Sequence, residues 1–335
     1  MKKIKISYSS VALCALALVA CGSDIGGQGL DQTGNGNGEE FPSASIDFIV
    51  PFPPGGGGDF TVRSFQQELQ DELDISIAVE NLGGGGGEVG TTQLVNREGD
   101  GYSVGLISNS AVTIFPNMRE TAYDYEDLQP VALASTTRYV LQVQDDSEWN
   151  SAEEFLEYAE SNPGDITYST FGAGSIPHLA MEMLELDTGL EFEAVTYEGT
   201  GPALTALMSG EVDAAITPAV DPEEGRVRSL FSFSGERGET PEEIPLLQEL
   251  GIDVGLDNLN VVMAPSSVED DRIAILEEGL ESVLGQESVI EAFAESEVEL
   301  SFVARDEIRA ILDEEYEMMA ELLDELGLSE GDDSD

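Results

Sequence analysis

The apolar run IDFIV, residues 46 to 50, gives way to a glycine turn and then to the polar, helix-like run TVRSFQQELQDEL. The same exchange follows twice more, with ISIAV before EVGTTQLVNRE and YSVGLI before a polar loop. Short β-branched runs alternating with amphipathic stretches predict βαβ units and parallel sheet, an α/β fold class. The alternation resumes in SAEEFLEYAES, ITYST, IPHLAMEMLELDTG, FEAVTY, PALTALMSGE and VDAAIT. These two blocks meet at TTRYVLQVQDD, residues 136–146, read as one strand long enough to pass from one domain into the next. LNVVMAP then returns the chain to the first block, followed by the helices VEDDRIAILEEGLESVLG and ARDEIRAILDEEYEMMAELLDELG. In the last of these Leu312, Tyr316, Met319 and Leu323 fall at helical spacing and are expected to face the core.

The pattern therefore divides the chain into lobe 1 over 44–141, lobe 2 over 142–258, and a return to lobe 1 over 259–328. A domain interrupted by another leaves a cleft, and ligands in such clefts meet loops at the carboxyl ends of strands. The acidic tail SEGDDSD, 329–335, is too polar to bury a core and is expected to be disordered.

The first 43 residues follow a different logic. Lys2, Lys3 and Lys5 precede an apolar core from Val11 to Ala20 that is too short to span a bilayer, as in a secretory signal. Leu18, Val19, Ala20 and Cys21 resemble the lipobox of bacterial lipoproteins, which implies a signal peptide over 1–20 and lipid on Cys21. Cys14 would leave with the signal, so no disulfide is available to the mature chain. Residues 21–43, rich in Gly, Asn and Gln and without an apolar period, are expected to be a flexible tether.

Charge narrows the partners. The chain has 68 Asp plus Glu against 13 Lys plus Arg, and all three lysines lie in the signal, leaving ten arginines and a net of −58 after cleavage. Such a surface repels nucleic acid and anionic lipid. It suits concentrated salt, where the Debye length falls to about 3 Å at 1 M and self-repulsion is screened.

Three glycine turns lie between a strand and a helix: PFPPGGGGDF at 51–60, GGGGGEVG at 83–90 and STFGAGSIPHLA at 169–180. The first lacks the lysine and Ser/Thr of a phosphate-binding P-loop. The second contains GxGxxG as Gly85, Gly87 and Gly90, but five consecutive glycines satisfy almost any glycine pattern, so dinucleotide binding does not follow. The third holds Ser175 and His178, the only histidine, without the GxSxG context of a nucleophile. With no HExxH and no mature cysteine pair, neither a metal nor a cofactor is indicated. What the three turns share is free backbone N–H groups at a helix N-terminus, which suit an anion such as a carboxylate without any cationic side chain.

PFPPGGGGD, VENLGGGGGEVG, DGYSVGL, YSTFGAGSIPHLA, VTYEGTGPALTALMSGEVDAAI and VVMAP resemble, in order, the motifs of tripartite tricarboxylate transporter substrate-binding receptors, the Bug receptors, over residues 44 to 325. The resemblance implies a type II periplasmic-binding-protein fold, two α/β lobes that close on a small di- or tricarboxylate and deliver it to membrane permease subunits. It implies no enzyme and no cofactor, and a monomer anchored outside the cytoplasm through Cys21. Its ligand loop falls on Phe52, Pro54, Gly55, Gly56, Gly57, Gly58 and Asp59, with Gly55 and Gly56 presenting backbone donors. The opposing lobe supplies Phe171, Gly172, Ala173, Gly174 and Ser175, then Tyr197, Gly199 and Thr200, while Asn109 and Ser110 are expected to line the same cleft. Gly58 stands where the family often has threonine, and Glu198 where lysine is common. Two other readings stay open on sequence: an exported hydrolase using Ser175 and His178, and a ligand-sensing receptor for a membrane sensor.

Overall fold

The computed structural model describes residues 41–197, 199–219, 225–294, 296 and 298–329. The signal peptide, Cys21, most of the tether, Glu198 and the tail from residue 330 lie outside these. Ile46–Val50 forms β1, Gly57–Leu73 α1, Ile77–Asn81 β2, Glu88–Val95 α2 and Ser103–Ser108 β3. Phe115–Met118 is a short α3, Leu128–Thr137 is β4 and Tyr139–Gln144 is β5. Ala152–Ser161 is α4, Thr167–Thr170 β6, Ile176–Thr188 α5, Glu193–Thr196 β7, Thr200–Ser209 α6, Ala214–Pro218 β8 and Val227–Ser232 β9. The chain then runs through β10 (Asn258–Pro265), α7 (Asp270–Leu284), α8 (Glu287–Phe293), β11 (Glu299–Ala304) and α9 (Arg305–Glu325).

Two sheets result, in the order β11-β4-β10-β3-β1-β2 and β7-β6-β8-β5-β9. This is a two-lobe α/β architecture, one sheet to each lobe. The expected parallel pairing holds for β1 with β2 and β3, and for β6 with β7 and β8. Elsewhere the sheets are antiparallel: β10 against β3 and β4, and β5 against β8 and β9. The reason is topological. Strands that enter straight from the other lobe have no crossover helix to turn them parallel.

The single strand expected over 136–146 is two strands. β4 ends at Thr137 in the first sheet, β5 starts at Tyr139 in the second, and Arg138 alone joins them. The boundary expected at 141/142 therefore falls inside β5, and the return expected at 259 falls one residue into β10. α1 begins at Gly57, so Gly57 and Gly58 belong to the helix rather than to the loop before it. The polar loop expected after β3 is a buried π-helical turn, Ser110–Ile114, because AVTI supplies apolar side chains to the interior.

One core lies between the first sheet and α1 and α7, with Phe48, Val62, Phe65, Val104, Leu276 and Leu280 buried. A second starts on the opposite face of that sheet at Ile49 and Ile107 and continues through α9 into the second lobe at Leu141, Tyr168 and Leu184, and a small third one gathers Leu204, Leu207 and Val212. As expected, Leu312, Met319 and Leu323 are fully buried, and Tyr316 stacks on Tyr125 with ring centroids 4.7 Å apart.

Candidate functional site

The loop between β1 and α1 is held by one carboxylate. Asp59, 4 % exposed, accepts the Gly55 N–H on Oδ2 (2.9 Å) and Arg63 Nε (2.8 Å) and Asn81 Nδ2 (3.0 Å) on Oδ1. Asn81 Nδ2 also donates to the Phe52 carbonyl at 3.1 Å, so the tip of β2 grips the loop as well. Burial works to raise the Asp59 pKa, but the Arg63 and Gly55 hydrogen bonds, the Asn81 amide and the Arg63 charge outweigh it and hold the carboxyl below its ordinary value.

This geometry moves the donors expected here. The Gly55 N–H is engaged by Asp59, and the Gly56 N–H donates to the Pro53 carbonyl at 3.4 Å. Gly56 is the N-cap residue of α1 and has no side chain to cap it. The N–H groups of the first turn, Gly57, Gly58 and Asp59, have no acceptor among the described residues. Helix starts carry such orphan donors and a partial positive charge, so this end of α1 is ready for an anion. Gly58 also fits against the Phe52 ring, which would lie 3.1 Å from a Cβ there.

The second glycine turn buttresses the first: a Cβ at Gly83 would lie 3.4 Å from the Pro53 nitrogen, and one at Gly87 3.6 Å from Phe52 Cζ. Gly85, Gly87 and Gly90 thus shape packing within lobe 1.

In lobe 2, Phe171 to Ser175 turn the chain from β6 into α5. Ser175 caps that helix. Its Oγ donates to the Gly172 carbonyl (2.7 Å), accepts the His178 N–H (3.4 Å) and lies 3.2 Å from Thr170 Oγ1. Pro177, in the same turn, has no N–H to offer. α6 starts differently: Gly199 is its N-cap without a side-chain cap, leaving the Thr200 and Gly201 N–H groups without acceptors among the described residues. The Tyr197 N–H closes on the Thr170 carbonyl at 2.8 Å, and its ring packs beside Leu204 and Leu207.

Sequence reasoning missed the residues that join the lobes. At Gly86 (φ +68°) a Cβ would come within 2.9 Å of Phe115 Cζ, and at Gly174 (φ +77°) within 2.7 Å of Met118 Sδ and 3.5 Å of Phe115 Cε1. Both glycines are needed for backbone conformation and for space. Phe115 and Met118 therefore form a wedge that touches the glycine turns of both lobes. The only signal was an aromatic and a methionine flanking Pro116 in a stretch read as a polar loop.

Asn109 does not line the cleft. It is fully buried, donating to the Asp257 carbonyl (3.0 Å) and Glu315 Oε1 (2.8 Å) and accepting the Leu259 N–H (3.0 Å). Ser110, 8 % exposed, pairs with Ser108 Oγ at 2.9 Å. The pairing of Ser175 with His178 is a helix cap, not a nucleophile and base: the His178 imidazole turns to Glu182 on its own helix, Nε2 to Oε1 3.5 Å, and burial lowers its pKa against the pull of that glutamate.

Cations are committed elsewhere. Arg63 holds Asp59, Arg119 pairs with Glu88 (2.9 Å) over the Phe115 ring, Arg138 pairs with Glu299, and Arg237 with Glu249. Among the described residues no cluster of three His, Cys, Asp or Glu could hold a metal, and no helix is long and apolar enough to cross a membrane. The starts of α1 and α6 each leave backbone donors uncapped, and such ends suit an anion.

A family model described as tripartite tricarboxylate transporter family receptor matches residues 61–328. Protein BugT of Bordetella pertussis is 30% identical over 299 residues, which cover 86% of this chain and 91% of that protein. Among solved structures, a ligand-free TctC solute binding protein from Polaromonas is 26% identical with a TM-score of 0.74, covering 85% of this chain and 99% of the other. An R. palustris protein solved with adipate is 24% identical with a TM-score of 0.76, covering 87% and 99%.

Proposed function

The chain belongs to the tripartite tricarboxylate transporter receptor family, and from that premise we propose that it closes its lobes on a small organic di- or tricarboxylate and delivers it to the permease subunits of such a transporter. Family and fold are those of substrate-binding receptors, not enzymes. The observation that carries the ligand class is the uncapped start of α1, where Gly57, Gly58 and Asp59 present free N–H groups. The start of α6 repeats the arrangement in lobe 2, and the wedge of Phe115 and Met118 keeps the two lobes in contact. Charge-assisted hydrogen bonds of this kind contribute roughly 1.5–3 kcal/mol each. A few such bonds suffice for micromolar binding, about −8 kcal/mol.

Calorimetry at molar salt with malate, adipate, citrate and a neutral amide analogue of each is the test. Binding of one or more acids that survives a chelator and is absent for the amides supports the reading. Equal binding of acid and amide, or loss with the chelator, overturns it.

The receptor works outside the cytoplasm, held by lipid on Cys21 with residues 21–43 as its tether, which lie almost wholly outside the described residues. Several acyl chains on one cysteine give stable attachment without a spanning helix. Lipid labelling that persists in Cys21→Ala would remove the anchor. The net charge of −58 fits a protein built for salt. Its melting temperature should climb from low to molar salt, and a flat profile would reduce the acid excess to a solubility feature.

A further inference from the structure

Both chain crossings between the lobes run into one polar cluster, buried around Asn109, Asp257 and Glu315. Arg138, the single residue between β4 and β5, places Nη1 3.0 Å from Glu299 Oε2 on β11 and donates from Nε to the Glu236 carbonyl at 3.3 Å. Asp257, the last residue before β10, accepts Ser234 Oγ on Oδ2 at 2.9 Å, while its carbonyl accepts Asn109 Nδ2. The same amide donates to Glu315 Oε1 of α9, which also accepts Thr113 Oγ1 at 2.7 Å from the π-helical turn. Asn109 thus ties the crossing, the first strand residues of β10 and the C-terminal helix into one unit.

Two carboxyls in this unit are incompletely served. Asp257 is 6 % exposed and Glu315 4 %, and Asp257 Oδ1 and Glu315 Oε2 are both buried without a hydrogen-bond partner among the described residues. A buried carboxylate with an unserved oxygen is costly, and a proton removes most of that cost. We propose that Glu315 and Asp257 form a proton-binding site at the crossing between the lobes, filled in the arrangement described here and emptied when the crossing opens to water, so that the lobe arrangement responds to pH.

The surroundings agree. Burial pushes Glu315 up to about 7 against the Thr113 and Asn109 hydrogen bonds, with the Asp257 charge pushing the same way as burial. Burial pushes Asp257 up to about 6 against the Arg138 charge and the Ser234 and Gly235 hydrogen bonds, with the Glu299 charge adding to burial. On the outer side of α9, Asp313 is occupied by Tyr125 and Arg309, and Tyr316 stacks on Tyr125. Because the folded values lie above the ordinary 4.5 and 3.8, the stability these groups contribute is full below those values and is lost as pH rises through about 6 to 7. The two sites interact, so the proton belongs to the pair.

The test uses the full chain at molar salt without ligand, so its failure is separate from any failure to bind a carboxylate. Infrared spectra in heavy water should show a carboxylic-acid carbonyl band near pH 6 that fades above pH 8. Glu185, which burial also raises to about 6, adds to that band and is subtracted with Glu185→Gln. Small-angle scattering of the wild type should show the lobes spreading over the same pH range. Glu315→Gln should keep the compact profile throughout, melt several degrees higher than wild type above pH 8, and lose its share of the band. Should that variant fail to fold, Asp257→Asn and the wild-type spectra decide. A wild-type band wholly accounted for by Glu185, scattering that is flat from pH 6 to pH 9, or a variant that keeps the wild-type pH dependence overturns the proposal.

Discussion

The helices α1 and α5 both follow a glycine turn at the end of a strand, yet they begin in opposite states. At α1 the N-cap is Gly56, the nearby acid Asp59 is turned back onto Gly55, and three N–H groups of the first turn find no acceptor among the described residues. At α5 the hydroxyl of Ser175 takes the His178 N–H and Pro177 removes another donor, so the end is largely closed. Glycine before a helix permits an anion site but does not make one. What decides is whether a side chain already occupies the donors, and here lobe 1 leaves them open while lobe 2 leaves them open only at α6.

The sharpest way to break the comparison is Gly57→Pro. Proline is tolerated at the first helical position, and Gly56 (φ −83°, ψ 171°) already has the extended conformation that a following proline requires. The variant removes one donor and puts a methylene in its place. Carboxylate binding should weaken roughly 10- to 100-fold, the loss of one charge-assisted bond, while the new Cβ, 3.2 Å from Val298 Cγ2, makes that side chain shift and lowers the melting temperature modestly. Gly56→Ala is its control, since that N–H already serves Pro53 and a Cβ there meets only the Pro53 carbonyl at 3.5 Å. Equal calorimetric affinity in both variants would show that α1 does not hold the ligand.

Next in size is Asp59→Asn, which should cost about 1–3 kcal/mol of stability by leaving Gly55, Arg63 and Asn81 poorly served. The wild-type contribution is present above the ordinary 3.8 and is lost as pH falls through the lower folded value. Acid melts should therefore converge for the two proteins at low pH. Curves that stay parallel there would assign the acid loss to other groups.

The smallest effect belongs to the closed end. Ser175→Ala removes a helix cap and should cost about 1 kcal/mol in denaturant melts. Affinity should change less than about threefold, because the hydroxyl serves the protein's own backbone. A larger drop in affinity than Gly57→Pro produces would reverse the roles of the two lobes.

Much of this was legible in local pattern. Alternation located β1, β2, β3, β6, β7, β8 and β10 and most of the long helices, and order of motifs gave two lobes. What escaped depended on distant partners. β11 is half-buried along its whole length and has no strong alternation to betray it. The change of sheet at Arg138 is invisible in a run that reads as one strand. Asn109 looked like a cleft residue because it follows a strand end, but its amide is claimed by Asp257 and Glu315, far along the chain. The glycine turns were visible, whereas the groups that occupy or free their N–H donors were not: Asp59 needs Gly55 and Asn81 in place before its role can be seen.

The two crossings also set an order of assembly. The second sheet is built from one uninterrupted segment, Tyr139 to Ser232, whereas the first has β10 at its centre, between β3 and β4, and receives it only after that whole segment has been made. Closing so long a loop delays the contacts it brings together. As the chain emerges, the strands of the second sheet can pair by themselves, though their core is finished only by α9, while β3 and β4 wait with exposed edges for the strand that belongs between them. The nascent protein is therefore most prone to wrong pairing in the interval before β10 arrives.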